Sequence, residues 1–227
     1  MTTMNLSELA KKFRLLTDLG SLDDKEREFL QRFLSEEYRL REHKRIAYLM
    51  KTSGIKRIKM LNDFDWSFNP KIPKDKIMEF MRTDWLKTPA NLIFIGPAGV
   101  GKTHLATAFC PDALTKGCQT LFLSLFDLNA RLSKARNIHT LIEFFSKVPV
   151  LCLDELGYAV LNREQADALF HIISRRVEVH TTILTTNLIP SQWGKVFDSV
   201  TASAILDRLS LNGKFITIDG RSYRSKK

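Results

Sequence analysis

The sequence has few cysteines, no long apolar run and no recognisable targeting segment. Among its 227 residues are only three cysteines, Cys110, Cys118 and Cys152, and their spacing fits no zinc site. We interpret them as reduced thiols of a cytoplasmic protein, which excludes a small secreted domain stapled by disulfides. No apolar run approaches the roughly 20 residues of a membrane-spanning helix. Residues 1–7 lack the charged start and apolar block of a signal peptide.

Acidic residues are also scarce relative to basic ones. The chain has 25 Asp and Glu against 35 Lys and Arg, which gives a formal net charge of +10. Such a balance favours a polyanionic partner, most simply nucleic acid, while a generally basic and well-solvated surface is the open alternative. With 44% hydrophobic residues, the composition is that of a globular protein with one sizeable core.

Glycine is uncommon, with ten residues in the whole chain, yet three of them fall in one stretch of eight. Residues 96–103 read Gly-Pro-Ala-Gly-Val-Gly-Lys-Thr and match G-x-x-x-x-G-K-[ST] at every fixed position. A predicted buried strand precedes the motif at residues 91–95, and a predicted helix follows it. A strand, a glycine loop and a helix form the context in which this pattern binds nucleotide phosphates, and a mere turn needs neither the lysine nor the threonine.

The residue types of this loop suit a triphosphate. Glycines let the backbone curl so that N–H groups surround the phosphates, and the first turn of the helix adds further free N–H groups. We predict that Lys102 binds the β- and γ-phosphates and that the Thr103 hydroxyl ligates Mg²⁺. The predicted ATP-binding residues are Gly96, Pro97, Ala98, Gly99, Val100, Gly101, Lys102, Thr103 and His104.

A second motif supplies acids for hydrolysis. The apolar stretch 151–153 ends in Asp154 and Glu155, about 50 residues after the glycine loop. Because successive residues of a strand point to opposite faces, the two acids should have different roles. We predict that Asp154 holds Mg²⁺ and that Glu155 polarises the attacking water as general base. Two solvated acids at a turn are the open alternative.

Two more residues complete the predicted catalytic set. Asn187 ends a predicted strand and is placed to hold the attacking water or the γ-phosphate, with a simple turn cap as the alternative. Arg208 is predicted to reach the γ-phosphate bound by a neighbouring subunit, where a cation stabilises the charge of phosphoryl transfer. A local ion pair with Asp207 or another acid is the alternative for Arg208.

Strands and helices alternate from residue 91 onward. Five strands are predicted, at residues 91–95, 119–123, 149–155, 181–187 and 214–218. This alternation predicts an α/β fold with a parallel sheet and helices on both faces, whose ligands lie at the carboxyl ends of the strands. Pro111 is predicted to break the helix after the glycine loop near Cys110.

An all-helical module is predicted before this core. Residues 6–19 and 21–50 are expected to be helical, and the polar side turns basic from Tyr38 onward. A solvated face and a dock for an acidic protein are the alternatives to DNA contact here. The predicted DNA-binding residues are Arg39, Arg41, Lys44, Arg45, Lys51, Lys56 and Arg57.

We divide the chain into three parts. The helical module takes residues 1–62, an aromatic linker and a leading helix take 63–90, and the core takes 91–227. The linker aromatics are expected to pack on the core, with the lining of an adenine pocket as a second role.

Together these motifs resemble the IstB-like ATP-binding proteins, which are AAA+ helper ATPases of insertion sequences and relatives of the DnaC helicase loaders. The resemblance extends over nearly the whole chain. Beyond the glycine loop, it depends on residues 64–70, 151–158, 185–187, 193–194, 206–209 and 220–224. It implies a P-loop AAA+ core with strand order 5-1-4-3-2 and a C-terminal lid that is reduced or absent.

The resemblance also implies a function. It implies a homo-oligomer that assembles with ATP on duplex DNA and delivers target DNA to a partner transposase. Asn187 would then be the sensor of the γ-phosphate, Arg208 the finger, and Arg224 a nucleotide contact. A replicative helicase loader with the same ATPase core is the alternative. A small phosphotransferase would explain neither the basic module nor Arg208.

Overall fold

The computed structural model describes residues 4–158 and 161–225. The α-helices of this part are α1 (Leu6–Phe13), α2 (Asp24–Thr52), α3 (Lys74–Arg82), α4 (Lys102–Ala108), α5 (Cys110–Thr115), α6 (Leu125–Lys134), α7 (Ile138–Lys147), α8 (Arg163–Arg176) and α9 (Ser199–Ser210). The strands are β1 (Asn91–Ile95), β2 (Thr120–Ser124), β3 (Val150–Leu156), β4 (Thr181–Thr186) and β5 (Gly213–Thr217). Residues 1–3 of the stretch 1–7, for which we predicted no signal peptide, lie outside the described residues.

The five strands form one parallel sheet in the order β2-β3-β4-β1-β5. Read from the other edge, this is the predicted order 5-1-4-3-2, so the α/β fold class and the strand order are confirmed. Because all strands run the same way, the glycine loop after β1, the acids of β3 and the polar end of β4 share one edge of the sheet.

Two apolar clusters cover the two faces of the sheet. Within β1, Leu92 and Phe94 enter the cluster that contains α4 and α5, whereas Ile93 and Ile95 enter the cluster that contains α6, α7, α8 and α9. This alternation follows from the two-residue period of a strand. Both faces are therefore buried, as expected for a parallel sheet.

Two helix ends differ from the predictions, and one prediction is confirmed. The predicted helix over residues 6–19 ends at Phe13, because Arg14 adopts a left-handed conformation with φ 53° and its N–H bonds back to Ala10 and Lys11. The leading helix, which we expected to run from about Lys74 to Trp85 within residues 63–90, ends at Arg82. The break before Pro111 is present, since α4 ends at Ala108 and α5 begins at Cys110.

The chain divides into two compact units, Met1–Tyr48 and Leu49–Lys227. The division falls within α2, whereas the sequence led us to end the helical module at residue 62. In the first unit, α1 begins with a capping box in which Asn5 and Glu8 exchange side-chain and backbone hydrogen bonds. Leu9, Ala10 and Leu34 are its buried apolar residues among those described.

After β5, the described residues contain only a short 3₁₀ turn, Tyr223–Ser225, and no helical lid. Within the same described ranges, none of the helices combines the length and apolar character needed to cross a bilayer. Cys110, Cys118 and Cys152 are all free thiols, as predicted.

Candidate active site

A cavity of about 390 Å³ lies at the carboxyl edge of the sheet, in the second unit. The glycine loop forms one wall, Glu155 of β3 and Tyr158 after it form another, and the linker before α3 and the tail after β5 form the remaining sides. The charged and polar residues that line it are Lys59, Asp63, Asp65, Asn69, Lys102, Thr103, His104, Glu155, Tyr158, Thr185, Tyr223 and Arg224.

The three glycines of the loop are required for different structural reasons. Gly99 and Gly101 have φ values of +81° and +100°, in the left-handed region that favours glycine. Gly96 has no such φ, contrary to our expectation that all three supply special backbone angles. A Cβ on Gly96 would instead collide with the carbonyl oxygen of Ile218, just after β5.

Lys102 is buried at the start of α4, with 8% of its surface exposed. Its Nζ donates to the carbonyl oxygens of Gly96 and Pro97 at 2.8 and 2.7 Å. Burial lowers the pKa of the ammonium from its ordinary value; the charges of Asp154 and Glu155 oppose that shift, and the charge of Arg224 adds to it. The ammonium thus lies inside the curl of the loop, where phosphates would be stronger acceptors than carbonyls.

Two hydroxyl groups hold the acid at the end of β3. Thr103 Oγ1 donates to the two carboxylate oxygens of Asp154 at 3.0 and 3.1 Å, and Thr185 Oγ1 donates to Asp154 Oδ1 at 2.5 Å. Asp154 is buried, whereas Glu155 is exposed and lines the cavity. The structure therefore brings Lys102, Thr103, Asp154 and Glu155 together. Sequence reasoning gave no role to Thr185.

Asn187 follows β4 beside the residues that come after the two acids. Its Oδ1 is buried and has no hydrogen-bond partner in the described part of the chain. The same oxygen lies where a Cβ on Gly157 would stand, so glycine at 157 leaves room for it. A buried amide oxygen without a partner is costly, and a ligand or an ordered water is the usual explanation.

The linker and the tail are joined in a way that the sequence did not reveal. The Asn69 side chain donates to the carbonyl of Arg221 at 3.1 Å and accepts from the N–H of Arg221 at 3.2 Å. The rings of Phe68 and Tyr223 pack edge to face with centroids 4.9 Å apart. We call these contacts the linker–tail clasp.

The clasp places the tail against the glycine loop. The N–H of Tyr223 donates to the carbonyl of Gly99 at 2.9 Å, and both Tyr223 and Arg224 line the cavity. Phe64 and Phe68 of the linker line it as well, so the linker aromatics serve both packing and the cavity wall. His104 also lines the cavity and contacts the ring of Phe64 edge to face at 5.1 Å.

Arg208 lies away from the cavity of its own protomer. Its carbonyl accepts from Asn91, the first residue of β1, whereas the glycine loop follows the last residue of that strand. Its guanidinium donates to Asp207 at 2.8 Å, and the side chain is 42% exposed. The local ion pair that we considered as an alternative is therefore present.

The predicted DNA-binding residues are exposed, but several carry local ion pairs. Arg39, Arg41 and Arg45 of α2 pair with Glu36, Glu37 and Glu42, respectively. Glu42 lies within the basic stretch and Glu36 and Glu37 lie just before it, and each glutamate is one turn before its arginine. The remaining predicted residues, Lys44, Lys51, Lys56 and Arg57, are exposed.

Comparison with known proteins agrees with this geometry. The family of IstB-like ATP binding proteins matches residues 1–227. An ATP-binding protein of insertion sequence IS21 from Pseudomonas aeruginosa is 38% identical over 204 residues, which cover 88% of this chain and 77% of that protein.

Two solved structures are similar to part of the chain. A DnaI crystal structure is 25% identical with a TM-score of 0.60, and the match covers 72% of this chain and 89% of that one. The DnaC helicase loader is 26% identical with a TM-score of 0.53, covering 63% of this chain and 86% of that one.

Proposed function

Since the chain belongs to the family of IstB-like ATP-binding proteins, we propose that it is the ATPase of an insertion sequence, which assembles with ATP on duplex DNA and assists a transposase. The ATPase activity follows from the family and the AAA+ fold. The proposal adds three things to this activity: binding of duplex DNA, assembly of several protomers on it, and assistance to a transposase. The observation that carries it is the junction of the glycine loop, Glu155 of β3 and the basic tail around one cavity, with Asp154 hydrogen-bonded to Thr103 of the loop.

Residues of the cavity fit Mg²⁺ bound together with ATP. The oxygen atoms of the Thr103 hydroxyl and the Asp154 carboxylate lie within 3.1 Å of each other, and Mg²⁺ prefers such hard oxygen ligands. These two residues would hold the ion. When bound, it neutralises charge on the β- and γ-phosphates.

The remaining residues supply binding and proton transfer. Lys102 and the N–H groups of the loop bind the phosphates, and Arg224 adds a second cation from the tail. Glu155 is the acid that is free to take the proton of the attacking water, because Asp154 is buried and bonded to two hydroxyl groups. In this scheme the attacking water donates to the unpartnered amide oxygen of Asn187, or the amide nitrogen of Asn187 donates to the γ-phosphate.

Arg208 completes the site of a neighbouring protomer in this proposal. It lies at the opposite end of β1 from its own glycine loop, so it cannot serve the ATP that its own protomer binds. A cation supplied by a neighbour makes hydrolysis depend on assembly. Mg²⁺, the assembly on DNA and these residue roles form one testable scheme.

The basic residues of α2 and of the segment after it contact DNA phosphates in this scheme. Contacts of this kind bind without reading sequence and release counterions. Because the neighbouring glutamates lower the positive potential around Arg39, Arg41 and Arg45, the exposed Lys44, Lys51, Lys56 and Arg57 should contribute more to affinity.

Electron microscopy and DNA-retention assays with purified protein test the proposal. With ATP and duplex DNA, we expect oligomers on the DNA and an affinity that falls with salt by about 0.9 log units per log unit for each phosphate contacted. Lys102→Ala is the control that should abolish the ATP dependence. If the unchanged protein shows the same oligomer size and the same DNA retention with and without ATP, the proposal is contradicted.

A helicase loader remains the second candidate, because the DnaC helicase loader resembles this chain over 63% of its length. Co-purification of a hexameric helicase and preference for single-stranded DNA would favour it. Co-purification of a transposase encoded beside this gene and preference for duplex DNA would favour the transposition helper.

A further inference from the structure

The pairing of β3 with β4 is interrupted at the two acids. Leu153 pairs with Leu184, and the next registered pair is Leu156 with Thr186. Two residues of β3, Asp154 and Glu155, therefore lie opposite one residue of β4, Thr185. This is a β-bulge, which leaves one residue without its usual partner in the ladder.

The bulge forces an unusual backbone at Glu155. Its φ is +64°, in the left-handed region that glutamate rarely adopts. A conformation of this kind costs on the order of 1 kcal/mol or more and persists only where its surroundings hold it. The backbone N–H of Glu155 also needs an acceptor that the regular ladder no longer offers.

The Thr185 hydroxyl meets both needs. It accepts from the N–H of Glu155 at 3.0 Å and donates its single hydrogen to Asp154 Oδ1 at 2.5 Å. Thr185 is buried at the wall of the cavity, with 0% of its surface exposed. Thr103 also bonds to Asp154, but Thr103 is assigned to the phosphate-bound cation. Thr185 is thus the residue that hydrogen-bonds to both acids and has no other proposed role.

We propose that Thr185 is a positioning residue of the ATPase, whose hydroxyl holds the Asp154 carboxylate and the Glu155 backbone in their working arrangement. This inference rests on the proposed roles of Asp154 and Glu155. Its chemical requirement is a hydroxyl at this position of β4. Valine keeps the branched shape without the hydroxyl, and serine keeps the hydroxyl without the methyl group.

The test compares Thr185→Val and Thr185→Ser with Thr182→Val. Thr182 is buried on the same strand, and its hydroxyl accepts from Arg176 Nε at 3.0 Å, at the other end of β4 from the acids. Thr182→Val therefore reports the loss of one buried hydrogen bond outside the site.

Thr185→Val should lower the rate of ATP turnover by about 10- to 100-fold, the usual loss when a partner of a site residue is removed. Its dissociation constant for ATP should change by less than about threefold, because the phosphate loop is intact. Thr185→Ser and Thr182→Val should keep turnover within about threefold of the unchanged protein.

Hydrogen exchange gives a readout that does not depend on turnover. In nucleotide-free protein, the Glu155 amide should exchange about tenfold faster in Thr185→Val, because its acceptor is gone, and at the original rate in Thr185→Ser. Wild-type turnover or unchanged Glu155 exchange in Thr185→Val overturns the proposal. Faster exchange throughout β3 and β4, with a lower melting temperature than Thr182→Val, also overturns it and assigns Thr185 to general stability.

Glu155→Gln separates this inference from the function on which it rests. Wild-type turnover in Glu155→Gln removes the proposed roles of the acids themselves. An inactive Glu155→Gln beside a fully active Thr185→Val leaves those roles in place and rejects Thr185 alone.

Discussion

Glu155 combines an exposed carboxylate with a backbone that a buried hydrogen-bond partner holds in place. Its side chain faces the cavity, while its N–H is held by the buried Thr185. A general base must reach its proton and be held in place by its surroundings. Glu155 meets both conditions in a cavity that the phosphate loop also lines.

Glu155→Gln should bind ATP normally and lose turnover by about 10²- to 10⁴-fold, because an amide cannot take the proton of the attacking water. Phosphate-release kinetics and ATP-binding calorimetry measure the two effects. Glu178→Gln is the matched control, since Glu178 is also an exposed glutamate with a left-handed φ of +61°. Normal turnover in Glu155→Gln would remove this residue from its role.

Between elements, the linker–tail clasp determines the shape of the cavity. Asn69 binds both backbone groups of Arg221, and Gly220 has no side chain that would collide with the Asn69 amide. The short polar side chain thus adds two hydrogen bonds to a tail that also contacts Gly99 and Phe68. The tail then presents Tyr223 and Arg224 to the nucleotide site.

Asn69→Ala should weaken ATP binding by about tenfold and lower the free energy of unfolding by about 1–2 kcal/mol, because two buried hydrogen bonds are lost. ATP-binding calorimetry and urea unfolding measure these changes. Asn62→Ala, at an exposed position before the linker, should leave both values unchanged. Unaltered ATP affinity in Asn69→Ala would show that the tail reaches the site without the clasp.

Arg176 connects the end of α7 to the start of β4 through buried hydrogen bonds. Its guanidinium donates to the carbonyls of Phe145, Val148 and Thr181 at 2.6–2.7 Å and is fully buried. Burial lowers its pKa to about 9, so the group stays charged at neutral pH.

Arg176→Met should lower the free energy of unfolding by about 2–3 kcal/mol, because three carbonyl oxygens lose their donors. Denaturant unfolding measures the loss. Arg175→Met, on the exposed side of the same helix, should change stability by no more than about 0.5 kcal/mol. Equal stability of the two variants would contradict this structural role.

At the scale of the whole molecule, one protomer does not contain every group of the proposed reaction. Arg208 is exposed at the far end of β1, paired only with its neighbour in sequence among the described residues. An exposed pair of this kind contributes little to stability, so the arginine is free to change partners.

Arg208→Ala should reduce turnover on the order of a thousandfold with unchanged ATP affinity, because a transition-state cation is lost. Turnover per protomer of the unchanged protein should rise with protein concentration. Asp207→Ala is the matched control: it breaks the local pair and should retain activity. Equal losses in Arg208→Ala and Asp207→Ala would assign Arg208 to the ion pair.

The sequence by itself determined the parts of this protein that depend on neighbours along the chain. The glycine loop, the acids near the end of β3 and the break at Pro111 follow from local backbone chemistry. The parallel sheet follows from the alternation of short apolar strands with helices. These patterns need only a few consecutive residues, and the strand order was available through the family resemblance.

Only the tertiary structure decided how distant segments meet. Asn69 and Arg221 are 152 residues apart, and no local pattern indicates that they bind each other. The reason for Gly96, the task of Thr185 and the early end of α1 also depend on contacts or backbone angles that residue types leave open. A contact between separated segments is fixed by packing in three dimensions, and the hydrophobic periodicity of the sequence does not indicate which distant residues will meet.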